Sequence, residues 1–225
     1  MKAITISFLR RFSAFQLLIA LSVLIVAFPF VEKLDAGNLI ISILFTLVLI
    51  SGVLAVEHRP VMLTIAGLLA LPAVAGRWIN NFWPGKLPPE MFLIGGMAFV
   101  LFVVVSLLRS ILRAPSVTGD VLCAAVSTYL MLGLLWTMAY WLVAELTPDA
   151  FAFSTAVGTN TSMKGFNSLY FSFVTLATVG YGDVTPIASS ARILAITEAI
   201  TGLLYIAVLI ARLVALYVPR KPNGE

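Results

Sequence analysis

The sequence predicts an all-α membrane protein with six transmembrane helices and one re-entrant helix and loop. Composition is the first observation. Of 225 residues, 61% are hydrophobic and 11% are charged, with mean hydropathy +1.07. A soluble domain of this size carries about a quarter charged residues. The second observation is the form of the apolar runs, which are long and continuous. Strands of a lipid-embedded barrel would alternate apolar and polar residues, whereas a lipid-embedded helix satisfies its own backbone. The third is a short apolar run near the C-terminal end, flanked by glycines and too short to cross.

A span needs about 20 apolar residues. Six segments qualify: Phe12–Val31, Asn38–Val56, Val61–Ile79, Met91–Leu108, Val121–Ala144 and Ser190–Val218. The first follows Lys2, Arg10 and Arg11, as in a secretory signal. Its apolar run ends in Pro29 and Phe30 with no small-residue cleavage site, so it is expected to stay as an uncleaved span. The short run Phe166–Ala177 lies between the last two spans and reads as a re-entrant helix. Ala114, Pro115, Ser116 and Gly119 mark a break between a four-span half, residues 1–114, and a second half, residues 115–225. The second half holds the span 121–144, the short helix 166–177, a loop 178–183 and the last span 190–218.

Basic residues set the orientation. With both termini inside, the inner side carries nine: Lys2, Arg10, Arg11, Arg59, Arg109, Arg113, Arg212, Arg220 and Lys221. The outer side carries five, Lys33, Arg77, Lys86, Lys164 and Arg192, together with the acids Glu32, Asp35, Glu90, Glu145, Asp149 and Asp183. This bias places both termini in the cytoplasm and the short helix in the outer half; a cell (inner) membrane is the expected location. Cys123 is the single cysteine, within an apolar run, so it forms no internal disulfide and reads as a small packing residue. His58, between Glu57 and Arg59 in a short inner loop, reads as a solvated histidine, with pH sensing as the alternative. Trp78, Trp83 and Trp141 fall near span ends, where an interfacial aromatic belt is expected.

After the short helix comes Thr178-Val179-Gly180-Tyr181-Gly182-Asp183. This hexapeptide resembles the selectivity filter of the potassium-channel superfamily, for which TVGYG is the known filter sequence. The resemblance covers about 100 residues, Val121 to Val218, and is specific because the motif sits between a re-entrant helix and a final span. The chain looks like a small prokaryotic six-span, one-pore member. The resemblance implies a homotetramer, because one loop supplies one quarter of a ring of carbonyls. Potassium would bind at Thr178, Val179, Gly180 and Tyr181, with Gly180 and Gly182 permitting backbone angles closed to most residues. Val179 and Tyr181 would point away from the axis, Asp183 would lie at the outer mouth, and Tyr170 and Phe171 would brace the tyrosine. Related channels often carry a carboxylate four residues before the filter threonine; here that position is Val174, so the usual bracing is missing. The pore helix would aim the negative end of its dipole at a cation.

Gly202 stands twenty residues after Gly182 in the final span. In the family a glycine at this spacing lets the inner helix bend or pack against the pore helix, and both readings stand. Ile206, Ile210, Val214 and Val218 follow on one stripe and, with Leu203, would line the cavity and close it by dewetting; lipid-facing aliphatics would look alike. Glu198 is the one acid inside a span. It is expected to hydrogen-bond to the pore helix or a neighbouring subunit, in a purely structural or a functional role, and is open to protonation.

The first four spans resemble the voltage-sensing module of six-span channels, but Met91–Leu108 contains no arginine, and Arg109 and Arg113 follow its end. Weak or no voltage dependence is expected, because each charge must cross the field to contribute about 2.3 kcal/mol per 100 mV. Those arginines would instead attract anionic lipid headgroups. Neither an enzymatic role nor any cofactor is implied; K+ is the permeant substrate, and lipids, but no nucleic acid, are the other partners. The rival readings are a membrane-bound enzyme, which would need clustered His, Cys or acids within spans, and a non-conducting regulatory subunit of a channel or transporter.

Overall fold

The computed structural model describes residues 13–56, 60–83, 85–86, 88–154 and 161–217. Seven helices and a two-stranded ribbon account for most of them: α1 (Ser13–Val31), α2 (Gly37–Ala55), α3 (Pro60–Phe82), α4 (Pro89–Arg113), α5 (Gly119–Leu146), β1 (Phe151–Phe153), α6 (Phe166–Leu176), β2 (Val184–Pro186) and α7 (Ser189–Tyr217). All except α6 are long and apolar enough to cross a membrane. The protein is therefore an all-α, multi-pass membrane protein. Phe12, Val218, the Glu57–His58–Arg59 loop and the basic residues of both termini lie outside the described residues.

The helices run past the apolar segments that predict them. α3 continues three residues beyond Ile79, and α4 five beyond Leu108. A helix ends where its backbone bonds end, not where hydropathy falls. Pro89 in the first turn of α4 lacks the N–H that would be orphaned there, and Arg113 sits in the last turn, where a cation suits the helix dipole. Thr118 caps α5, its hydroxyl oxygen accepting from Val121 N–H at 3.3 Å. At the α1–α2 turn a side chain on Gly37 would overlap the carbonyl oxygen of Val31, which accounts for the glycine.

α5 is the centre of the molecule, packing against α1, α4, α6 and α7. Its faces meet a core that includes the fully buried Leu17 and Leu21 of α1, Phe99 and Val103 of α4, and its own Met131. Polar ties fix its neighbours. Ser127 Oγ donates to Ala14 O at 3.4 Å, and Tyr205 O–H of α7 donates to Ala125 O at 2.6 Å. Arg212 Nη2 donates to Ala114 O at 2.9 Å, joining the end of α7 to the short α4–α5 connection. Only residues 114–118 make that connection, and the four-helix half docks on the α5 of the same chain through α1 and α4. Cys123 is a free, half-buried thiol packed against this core.

α7 is different. Ala191, Glu198, Gly202 and Tyr205 form its one buried stripe. Ile193, Ile196, Ile200, Leu203, Ile206, Ile210 and Val214 are all exposed in the single chain. A helix with apolar residues all round is built to be surrounded.

Candidate ion-conducting site

The loop after α6 holds a backbone that ordinary secondary structure cannot supply. Thr178, Gly180 and Gly182 have φ of 56°, 57° and 78°, while Val179 and Tyr181 between them have negative φ. The hand of the chain thus alternates residue by residue. Glycine adopts these angles freely, but Thr178 is β-branched, and a positive φ there stores strain. The strain is held at its root: Thr178 N–H donates to Thr175 O and Val179 N–H to Val174 O, both at 2.9 Å. Every residue from Ala177 to Gly182 is exposed in the single chain, and a Cβ at Gly180 or Gly182 would meet nothing within 4 Å.

The two ends of this loop are clamped. At the entrance, α6 ends at Leu176 with its carbonyls directed toward the loop's start. At the exit, β2 pairs antiparallel with β1, Phe153 opposite Val184, and Ser154 N–H donates to Asp183 O at 2.8 Å. The Asp183 side chain accepts from Tyr170 O–H at 2.6 Å and from Val184 N–H at 3.0 Å. Tyr170 therefore ties α6 to the far end of the loop. This differs from the expectation that Tyr170 and Phe171 brace Tyr181. Phe171 is buried on the opposite side of α6, edge-on to Tyr140 at 4.8 Å and to Phe151 at 5.6 Å. Tyr181 is 70% and Val179 51% exposed. They border a groove beside Tyr170, Phe173 and Val174 that is open in one chain. Val174 contributes its backbone carbonyl to the loop and no polar side chain.

Behind α6 lies a buried polar cluster. Glu198 of α7 is fully buried. Its Oε2 accepts from Tyr140 O–H of α5 at 2.5 Å, and its Oε1 lies 2.6 Å from Ser172 Oγ of α6. Ser172 Oγ is also 2.8 Å from Gly133 O. A serine hydroxyl has one hydrogen. Both contacts are satisfied together when Glu198 carries a proton and donates it to Ser172 Oγ, leaving the serine hydrogen for Gly133 O. Glu198 of α7 and Ser172 of α6 thus meet within one chain. A carboxylate reaches α6 from α7 although position 174 offers none.

Two glycines let these helices approach. A Cβ on Gly133 would come within 2.5 Å of the Phe173 ring. A Cβ on Gly202 would overlap the carbonyl oxygen of Leu176, the last residue of α6. Between the two roles open for Gly202, the geometry supplies the packing one, and α7 runs through it unbroken. Glu32, in the α1–α2 turn, accepts from Phe166 N–H at 3.3 Å and so places a carboxylate at the N-terminus of α6. Tyr140, Ser172, Thr175, Gly133 and Glu32 were not singled out by sequence reasoning. The available signal was the hydroxyl groups of Tyr140 and Ser172 in apolar helices, which need buried partners.

Residues 140–218 match a family model described as an ion channel. A relative from Arabidopsis thaliana, "Two-pore potassium channel 4", is 41% identical over 58 residues, covering 26% of this chain and 20% of that protein. "Protein LctB" of Geobacillus stearothermophilus is 48% identical over 61 residues, covering 27% of this chain and 44% of that protein. Residues 140–218 thus form an ion-channel domain. The matched stretches span less than half the length of either curated relative. No solved structure gives a significant match. The family match begins at Tyr140 and takes in α6, the alternating-hand loop and α7.

Proposed function

We propose that the chain is one subunit of a homotetrameric, potassium-selective channel that conducts K+ passively down its electrochemical gradient, with Thr178–Gly182 as the filter. The single observation that carries this reading is the alternating φ at Thr178, Gly180 and Gly182, at the C-terminal end of a short helix. Alternating hands turn successive carbonyls to one edge, and four such edges around an axis replace a hydration shell. The exposed loop and the uncovered apolar face of α7 support assembly around that axis. Leu203, Ile206, Ile210 and Val214 on that face are the proposed cavity lining and gate, and Asp183 the outer mouth. The reading puts both termini in the cytoplasm and the protein in a cell's inner membrane. It assigns weak or no voltage dependence, since Arg109 and Arg113 occupy the last turns of α4, next to the membrane surface.

The test is K+ uptake into liposomes holding the purified chain, with Na+ as control. The wild-type chain is expected to pass K+. Gly180→Ala places a Cβ at φ +57°, a conformation costing about 1–2 kcal/mol per subunit, and is expected to abolish the flux while leaving the tetramer's mass unchanged. Equal K+ flux through wild type and variant contradicts the assignment.

A further inference from the structure

Arg77 lies in α3, five residues before its end at Phe82, and so within a membrane-spanning helix near its outer end. Its Nε donates to Ser42 Oγ of α2 at 3.1 Å, and Ser42, fully buried, donates onward to Asn38 O at 2.7 Å. Among the described residues it has no carboxylate partner; the ion pair there joins Lys164 to Glu145. A guanidinium at membrane depth normally pairs or marks a ligand site. The Arg77 side chain lines a cavity of about 80 Å³ between the four-helix module and the pore helix. The rest of that wall is almost wholly apolar, with Leu24, Phe45, Leu93, Met138 and Leu169 among its residues and Trp141 beside them.

We propose that this cavity binds a single-chain carboxylate amphiphile from the filter-side leaflet, its head on Arg77 and part of its tail among those apolar residues. Three features select this ligand. With Nε engaged by Ser42, the end of the guanidinium is left for a planar, two-oxygen acceptor, and a carboxylate fits such a fork. The cavity, about 80 Å³, admits part of one acyl chain. Its apolar wall offers nothing to a polar anion beyond the head. Leu169 belongs to α6, so an occupant would touch the helix that carries the filter.

Brominated dodecanoate quenches nearby tryptophan fluorescence, and Trp141 reports on the cavity. The full-length chain in nanodiscs is titrated with brominated dodecanoate and with the matching dodecanol, and Trp141→Phe isolates the Trp141 signal. Saturable quenching of Trp141 is expected. The half-quenching concentration is expected to rise about tenfold for the alcohol and for Arg77→Gln, the loss of one charge-assisted interaction. Arg77→Lys, which keeps the charge and loses the fork, should fall between. Equal quenching by acid and alcohol, or titrations that Arg77→Gln and Arg77→Lys leave unchanged, overturns the proposal, as does no Trp141 quenching at all. The readout needs no conduction, so its failure is separate from failure of the channel reading.

Discussion

Glu198→Ala is expected to unfold or dissociate the protein at markedly lower temperature and to abolish selective K+ flux, whereas Glu198→Gln is expected to stay close to wild type. The alanine variant removes the acceptor of Tyr140 and the partner of Ser172 together, inside a site with no water access. The Tyr140 hydroxyl left without its acceptor costs about 1–3 kcal/mol, and the vacated volume adds a cavity term, while Ser172 keeps Gly133 O. Those losses fall on the joint between α5, α6 and α7. A glutamine can reproduce the pattern, since its carbonyl accepts from Tyr140 and its amide donates to Ser172 Oγ. Thermal unfolding in detergent and liposome flux distinguish the two variants. A glutamine variant as damaged as the alanine one would mean that a charged carboxylate, not a proton-bearing one, is what the site needs. Infrared absorption of a protonated carboxylic acid, lost in Glu198→Gln, checks the same point.

Gly202→Ala should also be severe for so small a change. The added methyl would overlap a backbone oxygen, that of Leu176, and no rotamer change can relieve it. α7 must move away from the end of α6, at about 1–3 kcal/mol per subunit for overpacking. Because Leu176 immediately precedes the loop at 177–182, the displacement reaches the filter. A fall of about tenfold or more in K+ flux is expected, in proportion to that cost, with the tetramer retained. Unchanged flux would show that α7 and α6 separate freely there, and would return Gly202 to a hinge role.

The spans were legible because lipid demands uninterrupted apolar helices, and each sequence segment lies on one helix of the fold. Their ends were not, because Arg109, Arg113 and Glu145 stay helical where hydropathy falls. The unusual backbone of the 178–182 loop was legible because Gly180 and Gly182 announce angles that few residues adopt. The positive φ of Thr178 gave no such signal, being imposed by the bonds to Thr175 and Val174. The partners of Glu198 were hidden for another reason. Tyr140 is 58 residues away in sequence and surrounded by apolar neighbours, so only the fold brings them together. Likewise the side of α6 on which Tyr170 and Phe171 lie depends on helix rotation, which adjacency in sequence does not reveal.

The central claim is a potassium-selective pore at Thr178–Gly182. Its most direct test is the reversal potential of the purified chain in a planar bilayer with KCl on one side and NaCl on the other. Selective conduction predicts reversal far from zero, displaced by about 59 mV for each tenfold preference for K+, with current lost in Gly180→Ala. Robust current that reverses near zero would contradict it.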